Sequence, residues 1–352
     1  KTDNAQVILR RGGQELTLAG VNAVVDMADN PVYKAEFAAS TQGTDIEGSA
    51  VISDTRQIIN AQLAGLDVKK YLQFVPAGAL PDNVEIKDGI IPHADLHVYR
   101  RDGDLSFSGD AELSAGNIRV EDTEIENIAG HAAFTNEEAL VNIQAEAAGQ
   151  QLNVHGRIKH LLTTPYMELE ASSEAFDPGK ILTNIPYEGA AKFAVKVTGA
   201  FNNPSVDGRV EVPGGKAMDV PFSGVVADVR YQDKNLFVRD FSAQVFGGKV
   251  SGEAVISTEN LGYTAHLKAE ALDASQAAAF LPQLTGLSGR VSADVGGNGS
   301  GTDFSTLQLY GSAHVQNADW QGLHVDKATT SFYLADDDLL IDYLSVIMPN
   351  HS

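Results

Sequence analysis

The sequence predicts a mainly β protein in which antiparallel strands join their sequence neighbours and one short helix recurs in each repeat of about 100 residues. Two kinds of observation lead there. Apolar and polar residues alternate over short runs that turn residues interrupt, and both a helical punctuation mark and several strand fragments return at fixed offsets.

The strands come first. KFAVKV at 192–197, NLFVRD at 235–240, YTAHLKAEAL at 263–272 and LSFSGDAEL at 105–113 alternate with period two, the pattern of a sheet with one apolar and one polar face. Asp102-Gly103 and Asn202-Asn203-Pro204 break such runs with residues suited to tight hairpins. At roughly 12 residues per strand and turn, the chain would make about 29 strands.

The helix of each repeat is the segment [LF]-D-x8-P, found at Asp67 to Pro76, Asp177 to Pro186 and Asp273 to Pro282. An Asp before a helix accepts a backbone N–H of the first turn, and a Pro stops the helix. The three helices, 67–75, 177–185 and 273–281, carry apolar residues at helical spacing. These are Val68, Tyr71, Leu72 and Val75, then Ile181, Leu182 and Ile185 behind Pro178, then Ala274, Ala277, Ala278 and Leu281 with Phe280 alongside. Nine residues do not hold a helix alone, so each stripe must rest on the sheet, as a structural plug first and a ligand gate second.

Gly48, Gly156 and Gly252 precede the three aspartates by 19, 21 and 21 residues, and GDAEL, GRVEV and GSAHV follow the prolines from Gly109, Gly208 and Gly311. The units are therefore 1–80, 81–186, 187–282 and 283–352, the first and last incomplete. This registration reads as a stretch of a longer repetitive protein, with any leader or anchor outside it.

With 47 Asp plus Glu against 25 Lys plus Arg, a net charge of −22 excludes a basic footprint for nucleic acid or for a polybasic membrane anchor. The absence of cysteine removes thiol nucleophiles and cysteine metal sites. His93 and His97 have HxxxH spacing, but on a strand they stand ~13 Å apart, so no metal site is expected. Gly296 to Asp303 lacks the Lys-Ser/Thr of a phosphate loop and reads as a flexible turn. Asp336-Asp337-Asp338 reads as a solvated hairpin tip, and His314 and His324 as strand-borne surface residues. Arg10-Arg11 and Arg100-Arg101 flank Gly-containing turns, solvated by default, with lipid phosphates at a rim as the alternative. No catalytic motif is present, so an enzyme and a cofactor are not expected.

The order of motifs is the carrier of a resemblance. A helix with an Asp start and Pro stop precedes a strand pair from Gly189 to Gly199, then N-P-x-V-x-G-x-V-x-V from Asn203 to Val212. A hairpin from Ser223 to Asp228 and a strand from Gly247 to Gly252 follow. Together these resemble the TamB and AsmA-like family over nearly the whole chain. The resemblance implies an elongated, curved sheet folded into a U-shaped apolar trough, anchored in the inner membrane of a diderm bacterium through a segment outside this stretch and reaching across the periplasm. It implies phospholipid acyl chains as cargo and, as the alternative, a role in outer-membrane protein assembly with a TamA-like β-barrel partner, in which an open sheet edge pairs with a client strand. The candidate groove-lining residues are Phe193, Val195, Val197, Val210, Val212, Leu236, Val238, Phe241, Val245, Tyr263 and Leu267. A parallel β-helix acting on polysaccharide would need coils of about 20 to 30 residues, against a period near 100 here.

Overall fold

The structure is a computed structural model that describes residues 1–11, 14–29, 31–74, 83–120, 123–180, 186–279, 285–301, 304–335 and 338–349. The protein is mainly β: among the described residues, 22 strands join in one open antiparallel sheet. The strands are fewer and longer than the alternation suggested, the longest running 18 residues. The shorter estimate fails because several strands continue through β-bulges, where one residue takes a positive φ and pairing resumes beyond it.

The chain divides into two units, Lys1–Ala171 with Val197–Pro204, and Ser172–Lys196 with Ser205–Ser352. The first holds β1 (Thr2–Arg11), β2 (Gln14–Asp26), β3 (Tyr33–Thr41), β4 (Thr44–Ile52), β5 (Arg56–Asp67), β6 (Val84–Arg101), β7 (Asp104–Val120), β8 (Thr123–Thr135), β9 (Glu138–Ala147) and β10 (Gln150–Lys159). Each pairs antiparallel with the next. A short helix, α1 (Val68–Tyr71), follows β5 and tightens into a 3-10 turn over Leu72–Phe74.

Three strands supply residues to both units: β11 (Tyr166–Phe176), β13 (Ala191–Ala200) and β14 (Asn203–Ala217). Between β11 and β13 lies the three-residue β12 (Tyr187–Gly189). The second unit continues with β15 (Val220–Gln232), β16 (Asn235–Val245), β17 (Gly248–Ser257), β18 (Gly262–Asp273), β19 (Arg290–Ser300), β20 (Gln308–Trp320), β21 (Leu323–Ala335) and β22 (Asp338–Ile347). From β14 to β22 each strand again pairs with its sequence neighbour. The helix α2 (Ala274–Ala278) follows β18.

The three Asp-led segments open alike. Asp67 Oδ1 accepts from the Lys69 N–H at 3.1 Å, Asp177 Oδ1 from the Gly179 N–H at 2.9 Å and Asp273 Oδ1 from the Ser275 N–H at 2.9 Å. In the middle copy the turn over Pro178–Lys180 is 3-10 rather than α. Each helical turn seats on the sheet. The Tyr71 hydroxyl lies 2.9 Å from both the Thr41 carbonyl oxygen and Thr44 Oγ1, and Lys70 Nζ donates to the Gln42 carbonyl at 2.9 Å. Thus α1 closes over the β3–β4 hairpin. In α2, Ala274 and Ala278 are buried, and the Asp273 N–H donates to the Phe246 carbonyl at 2.8 Å, so α2 closes over the β16–β17 hairpin in the same way. Of the expected helix faces, Val68, Tyr71 and Leu72 are half-buried, whereas Val75, Ile181, Leu182, Ile185, Phe280 and Leu281 lie outside the described residues.

The glycine-rich segment from Gly296 corrects the expected turn: through Ser300 it belongs to β19, paired on both sides. Aromatic rings of the adjoining strands explain it. A Cβ on Gly296 would stand 2.5 Å from the Tyr310 ring, and one on Gly299 2.5 Å from the Tyr263 hydroxyl, so each glycine leaves room for a ring laid over its backbone. Asp338 pairs with Ala335 at the start of β22, and Asp336 and Asp337 lie outside the described residues.

Candidate functional site

In an antiparallel sheet, residues directly opposite one another share a face, so the pairing register sorts every side chain. In the first unit one row runs Phe37, Gly48, Ala61, Leu96, Gly109, Phe134, Ala139 and Ile158 from β3 to β10. The adjacent row runs Ala39, Ile46, Leu63, Ala94, Ala111, Ala132, Val141 and Gly156 across the same strands. Neither contains a polar side chain. The opposite face carries Glu36, Ser49, Asn60, His97 and Ser108 in one row, and Glu47, Gln62, Asp95 and Asp110 in the next.

The second unit repeats the arrangement. Gly208, Val229, Val238, Ala254, Ala265, Gly297, Leu309, Leu334 and Leu339 form one row from β14 to β22. Phe241, Gly252, Leu267, Val295, Gly311, Phe332 and Ile341 form another. The other face carries the ion pairs, beside apolar side chains such as Phe237, Val255 and Tyr310. Arg230 reaches Asp207 at 2.6 Å, and Arg209 reaches Glu211 at 3.2 Å and Asp228 at 3.3 Å. Such exposed pairs add little stability, but they keep one face wet.

Ten of the eleven candidate groove residues fall in the second unit, and all ten lie on its apolar face. Phe193 and Val195 alternate with exposed Lys192, Ala194 and Lys196 on β13, and Val195 stands against Gly208. Val210 and Val212 pair with Ala227 and Val225. Leu236 and Val238 pair with Tyr231 and Val229, Val245 with Phe222, and Tyr263 with Ile256. Phe241 and Leu267 flank Gly252. Val197 is the next alternate position of β13 and belongs to the first unit. Val238 and Phe241 share a face although three residues apart, because a bulge at Asp240, φ 47°, restores the alternation. The whole apolar face of the first unit, with Phe37, Leu96, Phe107 and Phe134 as its bulky members, was missing from the candidates. Alternation in DLSFSGDAEL carries that signal for Phe107.

The apolar face is a half-covered surface in each unit. Most of its fully buried positions are alanines, such as Ala94, Ala145 and Ala243, while Leu267 retains 37% exposure. A sandwich core would bury its large side chains more completely than its rows do here. A concavity of about 740 Å³ lies instead on the polar side of the first unit, among Asn22, Glu36, Glu47, Asn60, Asp95 and His97. Its walls mix these amide and carboxylate groups with Val24 and Ala38.

The register glycines are close-approach points on the apolar face. A Cβ on Gly48, Gly156 or Gly252 would stand inside van der Waals contact of the Asn60, Glu168 or His266 carbonyl oxygen respectively. The next strand's backbone closes in at the same place in each repeat, which bends the sheet locally.

Several histidines pair with side chains of the polar face. His93 Nε2 lies 3.1 Å from Asp95 Oδ2, His97 Nδ1 lies 2.8 Å from Asn60 Oδ1, and His314 Nδ1 lies 3.0 Å from Thr329 Oγ1. Among the described residues no group of three His, Asp or Glu could hold a metal. His324 stands 2.8 Å from Asp319 and 3.5 Å from Asp326, and the Asp319 hydrogen bond, then the two negative charges, hold its pKa above the ordinary 6.5. A raised folded-state pKa contributes stability below the unfolded value, lost as pH rises through the folded one. By NMR titration, Asp319→Asn is expected to bring the His324 midpoint down toward 6.5. An unchanged midpoint would remove Asp319 as the cause.

The fold and this surface define a class: an open antiparallel sheet with, in each unit, one continuous apolar face and one mixed face that holds the ion pairs among polar and apolar side chains. No family model, curated protein or solved structure matches the chain. Among the described residues no helix is long and apolar enough to cross a membrane.

Proposed function

We propose that this chain is a stretch of a TamB-like periplasmic protein whose apolar face conducts phospholipid between two membranes. The observation that carries the reading is the unbroken apolar rows, eight strands wide in the first unit and nine in the second, on a sheet whose other face mixes charged, polar and apolar side chains. A soluble monomer rarely exposes more than a few hundred Å² of contiguous apolar surface, so a face of this extent calls for a greasy occupant. An acyl chain fits it well: a strand of six residues spans ~20 Å, comparable with one extended chain, and a chain needs contact area without directional bonds. The net charge of −22 on the chain favours its remaining apart from other copies. The resemblance in motif order adds the periplasmic setting, the inner-membrane anchor and a TamA-like barrel partner to the proposal.

Protein expressed in the periplasm of a diderm host and purified without detergent is expected to carry phospholipid, read by solvent extraction and mass spectrometry. Lipid-free protein that also fails to take up phospholipid from vesicles would contradict the reading.

A further inference from the structure

We propose that the rim of the first unit around Arg100 binds the oxyanionic head group of an amphiphile whose chain lies on the adjoining apolar rows. This rests on the lipid reading above and adds where the head group sits. Pairing of β6 is unbroken from His93 to Arg101 toward β5 and from Ala94 to Arg101 toward β7. Arg100 therefore shares a face with Val98, Leu96 and Ala94, two residues beyond the row Ala35, Ala50, Ile59, Val98 and Phe107. Its neighbours in register are Gln57 on one side and Leu105, 61% exposed, on the other. A guanidinium and an amide thus cap an apolar lane at the strand ends.

The surroundings are unusual for so acidic a chain. Arg56 stands directly opposite Arg101 on the other face, a like-charge pair that sheets ordinarily avoid. Asp102 lies 3.4 Å from Arg101 Nε, Asp104 of β7 stands opposite Arg101 on its other side, and Asp54 sits in the flanking turn. Among the described residues, Arg56 and Arg100 have no carboxylate within ion-pair distance, like Arg239 and Arg290, whereas Arg119, Arg157, Arg209 and Arg230 each hold at least one. A guanidinium fork matches a phosphate or carboxylate oxyanion in two parallel hydrogen bonds, and beside an apolar lane that charge-assisted contact selects a charged-headed amphiphile.

The test measures binding of dodecyl phosphate, dodecyl maltoside and inorganic phosphate to the 352-residue chain, each amphiphile below its micellar concentration. Arg100→Gln and, as a control on the polar face of the second unit, Arg239→Gln are compared with the parent, with folding checked by circular dichroism. Arg100→Gln is expected to weaken dodecyl phosphate about tenfold, as for loss of one charge-assisted contact. It should leave dodecyl maltoside unchanged, and Arg239→Gln should alter neither. Inorganic phosphate should bind far more weakly than dodecyl phosphate. Unaltered dodecyl phosphate affinity in Arg100→Gln overturns this inference alone, and so does inorganic phosphate binding as tightly as the amphiphile, which would make the rim a free-anion site. Failure of both amphiphiles to bind overturns the lipid reading and this inference with it.

Discussion

Gly252→Val is expected to destabilise the second unit by about 3 kcal/mol or more, combining the strain of a β-branched residue at positive φ with overpacking against a backbone carbonyl. Gly252 has a φ of +155°, and its added Cβ would lie 3.0 Å from Leu267 Cα as well as against the His266 carbonyl oxygen. These atoms belong to the neighbouring strand's main chain, so no flexible side chain can yield. Either the β17–β18 pairing opens, losing the ladder from Lys249↔Glu270 to Ile256↔Tyr263, or the strand slips. Gly214→Ala is the control. Its Cβ would meet the Phe222 carbonyl oxygen at an ordinary 3.5 Å with no positive φ, and the change should be neutral or slightly stabilising. Urea unfolding followed by circular dichroism distinguishes the two. A Gly252→Val midpoint equal to the parent's would mean that the close approach is not a feature of the folded chain.

Leu267→Asp should separate folding from function. Leu267 faces the apolar side between Gly252 and Val295, yet remains 37% exposed. A carboxylate there keeps access to water, so the stability loss should stay near 1 kcal/mol, the ordinary scale for a partly exposed substitution. An acyl chain on the same face would have to desolvate that carboxylate, which costs several kcal/mol, so lipid uptake from vesicles should fall at least tenfold. Thr264→Asp, three residues away on the polar face between Val255 and Asn298, should leave uptake unchanged. Equal losses in both variants would remove the distinction between the faces on which the proposed function stands.

Much of this was legible in the sequence, and the reasons are specific. Phe193, Val195, Val210, Val212, Leu236 and Val238 can be assigned to one face by counting in twos, because no bulge falls within any of the runs KFAVKV, GRVEV and NLFV. The aspartate caps were legible because an Asp before a helical turn has one strong use, accepting the N–H two residues on, and Asp67, Asp177 and Asp273 all do so. Strand number was misjudged because a bulge need leave no composition signature: Ala115 and Ala271 take positive φ at a residue type that carries no such preference. The glycines of 296–299 misled for a related reason. Glycine signals a turn when read alone, and only the positions of Tyr263 and Tyr310 on neighbouring strands show that these are seats for aromatic rings. Arg100 could be singled out beside a turn, but its place at the end of an apolar lane depends on the β5–β6–β7 register, which no local pattern specifies.

The central claim is that one face of this sheet carries lipid and the other does not. A photo-crosslinking amino acid placed singly at Val195, Val238, Lys196 and Arg239, all in the second unit, reads both faces at neighbouring backbone positions. Illumination in the presence of radiolabelled phospholipid vesicles should label the Val195 and Val238 variants and leave the Lys196 and Arg239 variants unlabelled. Equal labelling at all four positions would contradict the account.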